Sequence, residues 1–358
     1  MPNGIGEYDE SKTGVSFTML KRWMRCREEA RLSLMGWQPT RTSEALTFGS
    51  IVHSILEEAH RARSEKRLKA IPTKNKIMTW VAIAEAKWRE QNPRADTYAL
   101  EALETCLGMA EAVLPVYFDY WHESFLKSQW VETEDKFAVV FDLPNGRHIA
   151  FKGYRDAVFR LKRGLWILET KTTSKINENT LIDALPLDLQ SKAYMLSYEM
   201  QAGEELRGFV RNIIRRPGLR RGKAESLSSF IKRIEADVDK RPEFYFLRFE
   251  IAITREELRS FKVEFVDMLQ EFWKWRWDIS RHFKNTTNCI GTYGACDMLP
   301  ICGRGDYSRH ARADWAKEEG SGGTVRPRKR RRSKRKDEKA KGDIPGRTIL
   351  LRRSGPRT

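Results

Sequence analysis

The stretch KFAVVFDLPNGRHIAFKGYRDAVFRLKRGLWILETK, residues 136–171, decides the fold. Lys136 to Asp142 is a β-branched and aromatic run that reads as a strand. Leu143-Pro-Asn-Gly-Arg147 follows, and an Asn-Gly pair is a strong hairpin signal because a tight two-residue turn needs positive φ. His148 to Leu161 is then the returning strand. Lys162-Arg-Gly164 turns the chain again, and Leu165 to Lys171 is a third strand. Residues 136–172 therefore read as a three-stranded antiparallel meander.

If Lys162 and Arg163 form the centre of the second turn, Asp156 falls opposite Glu169; moving the centre by one step puts it near Thr170 or Lys171. Glu169 and Lys171 are two apart on a strand and leave the same face. Neighbouring strands lie about 4.8 Å apart, so two carboxylates there can share one divalent ion, Mg²⁺ or Mn²⁺ by the hardness of the ligands. Such an ion polarises a phosphate and lowers the pKa of a water, and an adjacent lysine can orient or deprotonate that water. A second Glu-x-Lys, Glu134-Asp-Lys136, sits at the start of the first strand and has no upstream Asp across a turn. For Glu169 and Lys171 the plain alternative is a salt bridge on a solvated sheet.

Upstream, residues 16–35 read as a helix, and a second begins at Phe48 with Ser50 as its cap. His53 and Glu57 lie on that helix, and residues 76–128 look helical with an interruption near Pro93 and a second candidate interruption at Pro115. Downstream, a helix over Asp188–Met200 places Gln190 and Tyr194 on one face. Leu206–Ile214 and Phe244–Ile253 are strands. Thr254 and Glu257 form a capping box for a helix running to about Phe283. Phe272, Trp273, Trp275, Trp277 and Phe283 on that helix form an apolar stripe. Arg211, Arg215, Arg216, Arg220, Arg221 and Lys223 give a basic segment that could track a DNA backbone or simply be solvated. Helices around one central sheet make the class α/β.

The chain has 358 residues and a net charge of +17. Residues 321–358 hold 15 Lys+Arg against 3 Asp+Glu, so +12 of that charge sits in the tail and +5 in the other 320 residues. The run Arg326 to Lys336 lacks apolar periodicity and is expected to be a disordered, polyanion-seeking tail. No long uncharged apolar run suggests a membrane span, and the polar first 16 residues lack a signal-peptide core. The expected location is cytoplasmic.

Five cysteines argue against a disulfide framework. Cys289-x6-Cys296-x5-Cys302 is a close trio suited to Zn²⁺ or an iron–sulfur cluster, with Cys26 as the natural fourth ligand. Cys106 has no partner and is expected in the core.

The ordered set Phe48-Gly-Ser-Ile-Val-His53, Gly153-Tyr-Arg-Asp156, Glu169-Thr-Lys171 and Gln190-x-x-x-Tyr194 resembles the RecB-like branch of the PD-(D/E)XK nuclease superfamily. Ser16 to Cys26 resembles that branch's N-terminal segment. The resemblance spans residues 16–302 and implies a restriction-endonuclease-like mixed sheet flanked by helices. It implies metal ligation by His53, Asp156, Glu169 and the carbonyl of Thr170. Lys171 would be the catalytic lysine, with Gln190 and Tyr194 completing the site. One cysteine before the core and three after it is similar to the iron–sulfur nucleases of the branch, such as the AddB nuclease domain and the CRISPR adaptation nucleases. Their usual spacing is Cys-x2-Cys-x5-Cys, so the first gap here is longer. A [4Fe–4S] cluster on Cys26, Cys289, Cys296 and Cys302 is the expectation over Zn²⁺.

The expected organisation is a flexible 1–15, a nuclease domain over 16–310 and a basic tail over 311–358. Within the domain, 16–130 is mainly helical, 131–254 carries the catalytic sheet and 255–310 the last helix and the cysteine loop. The expected activity is that of a DNA exonuclease acting at single- or double-stranded ends in recombination, repair or replication. The chain has no phosphate-binding Gly-x-x-x-x-Gly-Lys loop, so any helicase or recombination partner would be separate. By resemblance alone, a bacterial virus is a fitting source, as for phage exonucleases. Two other readings are a non-catalytic DNA-binding subunit with the same fold and a zinc-stapled nucleic-acid-binding protein.

Overall fold

The structure, a computed structural model, describes residues 14–40, 43–93, 95–161, 164–277, 282–291, 294–312 and 352–353. In chain order its elements begin with β1 (Val15–Ser16), α1 (Phe17–Arg25), α2 (Arg27–Leu34) and β2 (Trp37–Pro39). Helices α3 (Glu44–Ser64), α4 (Lys74–Gln91), α5 (Thr97–Tyr120) and α6 (His122–Lys127) follow. Then come β3 (Gln129–Asp142), β4 (His148–Leu161), β5 (Gly164–Thr173), α7 (Glu178–Ala184), α8 (Leu189–Ala202) and β6 (Leu206–Arg215). The chain continues through α9 (Leu227–Lys240), α10 (Pro242–Tyr245), β7 (Phe246–Ala252) and α11 (Arg255–Trp277). Short pieces complete it: β8 (Ile290–Gly291), β9 (Gly294–Ala295), α12 (Leu299–Arg304), β10 (His310–Arg312) and β11 (Arg352–Arg353).

The expected meander is present and longer than expected. β3, β4 and β5 pair antiparallel, and Gly146 at φ 76° turns the first hairpin. The turn centre Lys162–Arg163 lies outside the described residues, but Leu161 pairs with Gly164 and Ala157 with Leu168, the register that heads Asp156 toward Glu169. β6 joins β5 in parallel, and β7 joins β6 antiparallel, so the central sheet is mixed. β1 adds in parallel to β4 at Phe151 and Lys152.

Each face of the sheet is covered. Phe209, Ile213, Phe249 and Ile251 point toward α1, α8 and α11, where Trp23, Met195, Phe265 and Phe272 pack. Leu168, Val210, Ile214 and Phe246 point the other way, against Phe48, Ile55, Val113 and Ile234 of α3, α5 and α9. A sheet buried on both sides explains the unbroken apolar run Leu165–Leu168 in β5 and the apolar pairs Phe209–Val210 and Ile213–Ile214 in β6.

Several boundaries differ from expectation. The helix read over 16–35 breaks at Cys26, whose extended φ of −159° and ψ of 122° start a second helix. α3 begins at Glu44 with Ser43, not Ser50, as its cap; the Ser43 hydroxyl accepts from Leu46 N at 3.3 Å. Pro115 is carried inside α5 without ending it. The capping box is as expected: Thr254 N donates to Glu257 Oε2 at 2.9 Å and Glu257 N to Thr254 Oγ1 at 3.1 Å. Its helix ends by Trp277 in the described residues, and Phe283 lies outside any helix or strand and is exposed. Helices α7, α9 and α10 were not expected. Most of the basic tail lies outside the described residues. Arg352 and Arg353 pair antiparallel with β7.

Candidate active site

β4 has β3 along one side for its whole length. On the other side it has β1 at 151–152 and β5 from 157 onward. Gly153 to Asp156 lies in the gap between those two partners. Beyond Ala157 and Leu168, β5 leaves β4 and continues beside β6. In the fork so formed, Thr170 N donates to Asp156 Oδ2 at 2.6 Å, so a side chain takes over from the backbone ladder.

Two glycines let neighbouring elements close on the fork. A Cβ on Gly153 would sit 2.9 Å from the Phe137 ring and 3.3 Å from the Tyr194 hydroxyl. A Cβ on Gly49 would sit 2.9 Å from Thr172 Oγ1, so glycine lets α3 lie directly on β5. One turn later His53 Nδ1 stands 3.2 Å from Asp156 Oδ1. The spacing of Gly49 and His53 is thus that of a helix pressed onto the catalytic strand.

Lys171 Nζ donates to Glu169 Oε1 at 2.5 Å and to Gln190 Oε1 at 3.1 Å. Tyr194, one turn along α8, bonds Gln190 and is held above its ordinary pKa by burial and then by the Glu169 charge. Asp188 caps α8, accepting from Ser191 N at 2.7 Å. The structure therefore gathers His53, Asp156, Glu169, Thr170, Lys171, Gln190 and Tyr194 in one place. Glu57 is not among them: it pairs with Arg61 and with Lys87 at 3.6 Å.

The two carboxylates are tuned apart. Burial pushes Asp156 up, but the His53 charge and hydrogen bond, Thr170 N and Lys171 bring it below the usual range. Burial pushes Glu169 up and the Asp156 charge adds to it, with Lys171 and Arg211 opposing. Glu169 is 2 % exposed, and its Oε2 is buried with no hydrogen-bond partner among the described residues. Two carboxylates and a backbone carbonyl are hard donors and an imidazole is a borderline one, and the orphaned Glu169 oxygen keeps lone pairs that no donor satisfies among the described residues. These residues fit a divalent cation. Among the described residues no three His, Cys, Asp or Glu side chains stand at ion-sharing distance, here or elsewhere.

The four cysteines expected to act together lie in one corner, where the C-terminal segment clasps the first two helices, but no three of their sulfurs stand at ion-sharing distance. Asn285 N donates to Cys26 Sγ at 3.3 Å, and Asn285 and Asn288 side chains both donate to Arg25 O. Cys296 N donates to Cys289 O at 2.8 Å. Burial raises the Cys302 thiol to about 11, and the charges of Glu28, Cys296 and Cys26 add to it. All four are free thiols and half-buried. β10 pairs with β2, fastening the same corner a second time. Cys106 is buried against Glu44 O at 3.4 Å, as expected of a core thiol.

The sequence reading missed the buried cations around the fork. Arg155 is wholly buried, donates to Ser197, Glu132, Asp135 and Gln201, and lies over the Phe137 ring. Arg211 and Arg248 are buried as well. Arginine in a strand normally signals a solvated face; the clue was that Arg211, with Asn212, and Arg248 interrupt apolar runs. Arg211, grouped by sequence with the basic loop, belongs to the interior instead. Arg220, Arg221 and Lys223 are exposed. Their loop is braced by Glu225, which accepts from Gly222 N at 2.8 Å and from Arg233. Phe272 and Trp275 are core, while Trp277 is exposed.

The sequence model of the PD-(D/E)XK nuclease superfamily matches residues 14–303. No curated protein matches the chain. The crystal structure of SSO0001 aligns over 54 % of this chain and 75 % of its own at 16 % identity, with a TM-score of 0.18, too loose a superposition to carry an argument. Among the described residues no helix is long and apolar enough to cross a membrane.

Proposed function

The chain belongs to the PD-(D/E)XK nuclease superfamily, and from that premise we propose that it is a divalent-metal-dependent DNA nuclease, an exonuclease of the RecB-like branch. Nuclease activity, a nucleic-acid substrate and a divalent metal follow from the family. The observation that carries the rest is the fork itself, where Asp156, Glu169 and Lys171 meet and Glu169 Oε2 is left buried without a partner. His53, Asp156, Glu169 and the Thr170 carbonyl would hold the cation. When bound, Mg²⁺ or Mn²⁺ would polarise the scissile phosphate and acidify a water.

The chain's own groups do the remainder. Lys171, 43 % exposed at its side chain, reaches from Glu169 into the open side of the fork. There its ammonium can orient the attacking water and balance charge on the phosphate as it becomes pentacovalent. Gln190 shares that ammonium and fixes its direction. Tyr194 stays protonated at neutral pH and closes the apolar wall beside Gly153. Arg220, Arg221 and Lys223, on the loop that leaves β6 just past the site, would bear on the phosphates of the strand.

In the cysteine corner, N–H groups already point at Cys26 and Cys296. We read the four thiols as ligands of a [4Fe–4S] cluster rather than Zn²⁺, closing the two chain ends over the core. Protein purified without oxygen is expected to carry iron and acid-labile sulfide; stoichiometric zinc without iron would reverse that reading.

The test of function is cleavage of end-labelled linear and circular DNA, single- and double-stranded, with Mg²⁺, Mn²⁺ or chelator. The expected result is metal-dependent loss of linear substrates from their ends, with circles spared. Cleavage of circles would make it an endonuclease. DNA binding with no cleavage of any substrate would favour the non-catalytic reading.

A further inference from the structure

The middle of β6 is apolar except at two adjacent positions: Phe209 and Val210 precede them, and Ile213 and Ile214 follow. The two are Arg211 and Asn212, 4 % and 0 % exposed. In the parallel register they lie beside Glu169 and Thr170 respectively. The polar row continues outward, because Asn212 pairs with Arg248 of β7, itself flanked by Leu247 and Phe249. Buried polar residues in the inner strands thus concentrate on the two rows that carry the candidate metal ligands.

Their hydrogen bonds run in opposite directions from the sheet. Asn212 Nδ2 donates to Thr170 Oγ1 at 3.2 Å, and Asn212 Oδ1 accepts from Arg248 Nε at 2.9 Å. Arg248 in turn donates to Ser124 Oγ at 2.8 Å and to the Tyr117 hydroxyl at 2.7 Å, and lies 4.3 Å over the Trp121 ring. That chain anchors Thr170 in the helical layer of α5 and α6. On the other face, Arg211 Nη2 stands 2.9 Å from Asp188 Oδ1 and 3.2 Å from Ser191 Oγ, in the first turn of α8. That turn carries Gln190, the acceptor for Lys171. Arg211 Nε is buried without a partner among the described residues, as is Glu169 Oε2.

We propose that Arg211 and Asn212, the latter backed by Arg248, are positioning residues on the two faces of the sheet beside β5, Asn212 acting on β5 itself and Arg211 on α8. Asn212 fixes the Thr170 peptide that would present its carbonyl to the cation. Arg211 fixes the α8 turn that aims Lys171 through Gln190. The inference rests on the hydrolytic reading above. A merely structural network would behave differently, since replacing a buried polar pair with apolar side chains of similar volume is often neutral or stabilising.

The test uses the full chain. In Asn212→Leu/Arg248→Met, Mn²⁺ affinity measured by calorimetry without DNA should weaken by about 10- to 100-fold, and kcat should fall by a similar factor. The melting temperature should not fall. Unchanged Mn²⁺ affinity in a folded double variant would overturn the Asn212 arm. Should that variant fail to fold, Asn212→Ser provides the same calorimetric readout. For Arg211, a cycle with Gln190→Ala decides. Arg211→Lys should lower kcat with KM unchanged in the wild-type background, and should cost nothing further once Gln190 is alanine. Additive losses would overturn the Arg211 arm. Absence of metal-dependent cleavage by the unaltered chain would instead sink the hydrolytic reading beneath both.

Discussion

Two of the chain's Glu-x-Lys tripeptides lie on strands of one meander, and these two copies share only their letters. Glu134-Asp-Lys136 lies on β3, which among the described residues pairs with β4 alone. Lys136 is exposed there, in register with Tyr154, which is 56 % exposed. The residue between them, Asp135, is taken up by Arg155 at 3.2 Å. Glu169-Thr-Lys171 lies on β5, between β4 and β6, where the strands part. Its glutamate is buried, its middle residue donates to Asp156, and its lysine bridges to Gln190. Taking a carboxylate out of water costs several kcal/mol unless partners or an ion repay it. A solvated edge imposes no such demand, so the tripeptide there needs no purpose. The chemistry is conferred by where a strand leaves its neighbour, not by the motif.

The strongest way to break that comparison is to truncate both lysines. Lys171→Ala is expected to lower kcat by about 100- to 1000-fold, the scale of losing one charged group aimed at a developing oxyanion. DNA affinity by filter binding should hold, because sequence-independent affinity is spread over many phosphate contacts. Lys136→Ala should leave both unchanged. Similar losses in the two variants, or a fully active Lys171→Ala, would dissolve the distinction between the copies.

The contrast also shows what the amino-acid pattern could carry. Asn145-Gly146 and the alternating strands gave the meander, and the short second turn gave a register that the Ala157–Leu168 pair obeys. From that register the meeting of Asp156 with the Glu169 strand was legible. Gly49 and Gly153 were visible as letters, but their reason, contacts of 2.9 Å with Thr172 and Phe137, exists only after long-range packing. The interruption at Cys26 escaped because nothing in Trp23 to Arg27 breaks helical periodicity. The cause lies more than 250 residues away, in Asn285, whose N–H meets the sulfur and whose side chain meets the Arg25 carbonyl. Arg211 and Arg248 escaped for a different reason. Charge in a strand is read as exposure, and only the pairing of three strands shows that these charges lie inside.

A smaller effect sharpens the same lesson on α3, which carries two histidines seven residues apart. His53 faces Asp156 in the fork. His60 is 2 % exposed and stacks on Trp130 at 3.9 Å. Burial, then the Arg248 charge, lowers its pKa from 6.5 to about 3. Between those values the unfolded chain binds a proton that the folded chain refuses, so folding stability must fall as pH falls through that window. From pH 7.5 to 5.5 the loss from this one group is about 1.4 kcal/mol. His60→Phe keeps an aromatic ring against Trp130 and removes the titration. Urea midpoints at the two pH values should therefore differ less in His60→Phe than in the unaltered chain, the carboxylates common to both cancelling in the comparison. Cleavage at pH 7.5 should be unaffected. His53→Ala should do the reverse, weakening metal-dependent cleavage while leaving the acid dependence of His60 in place. An acid profile that His60→Phe leaves unaltered would mean that the imidazole already takes up its proton in the folded chain, and that the deep placement on this helix is not what separates the two histidines.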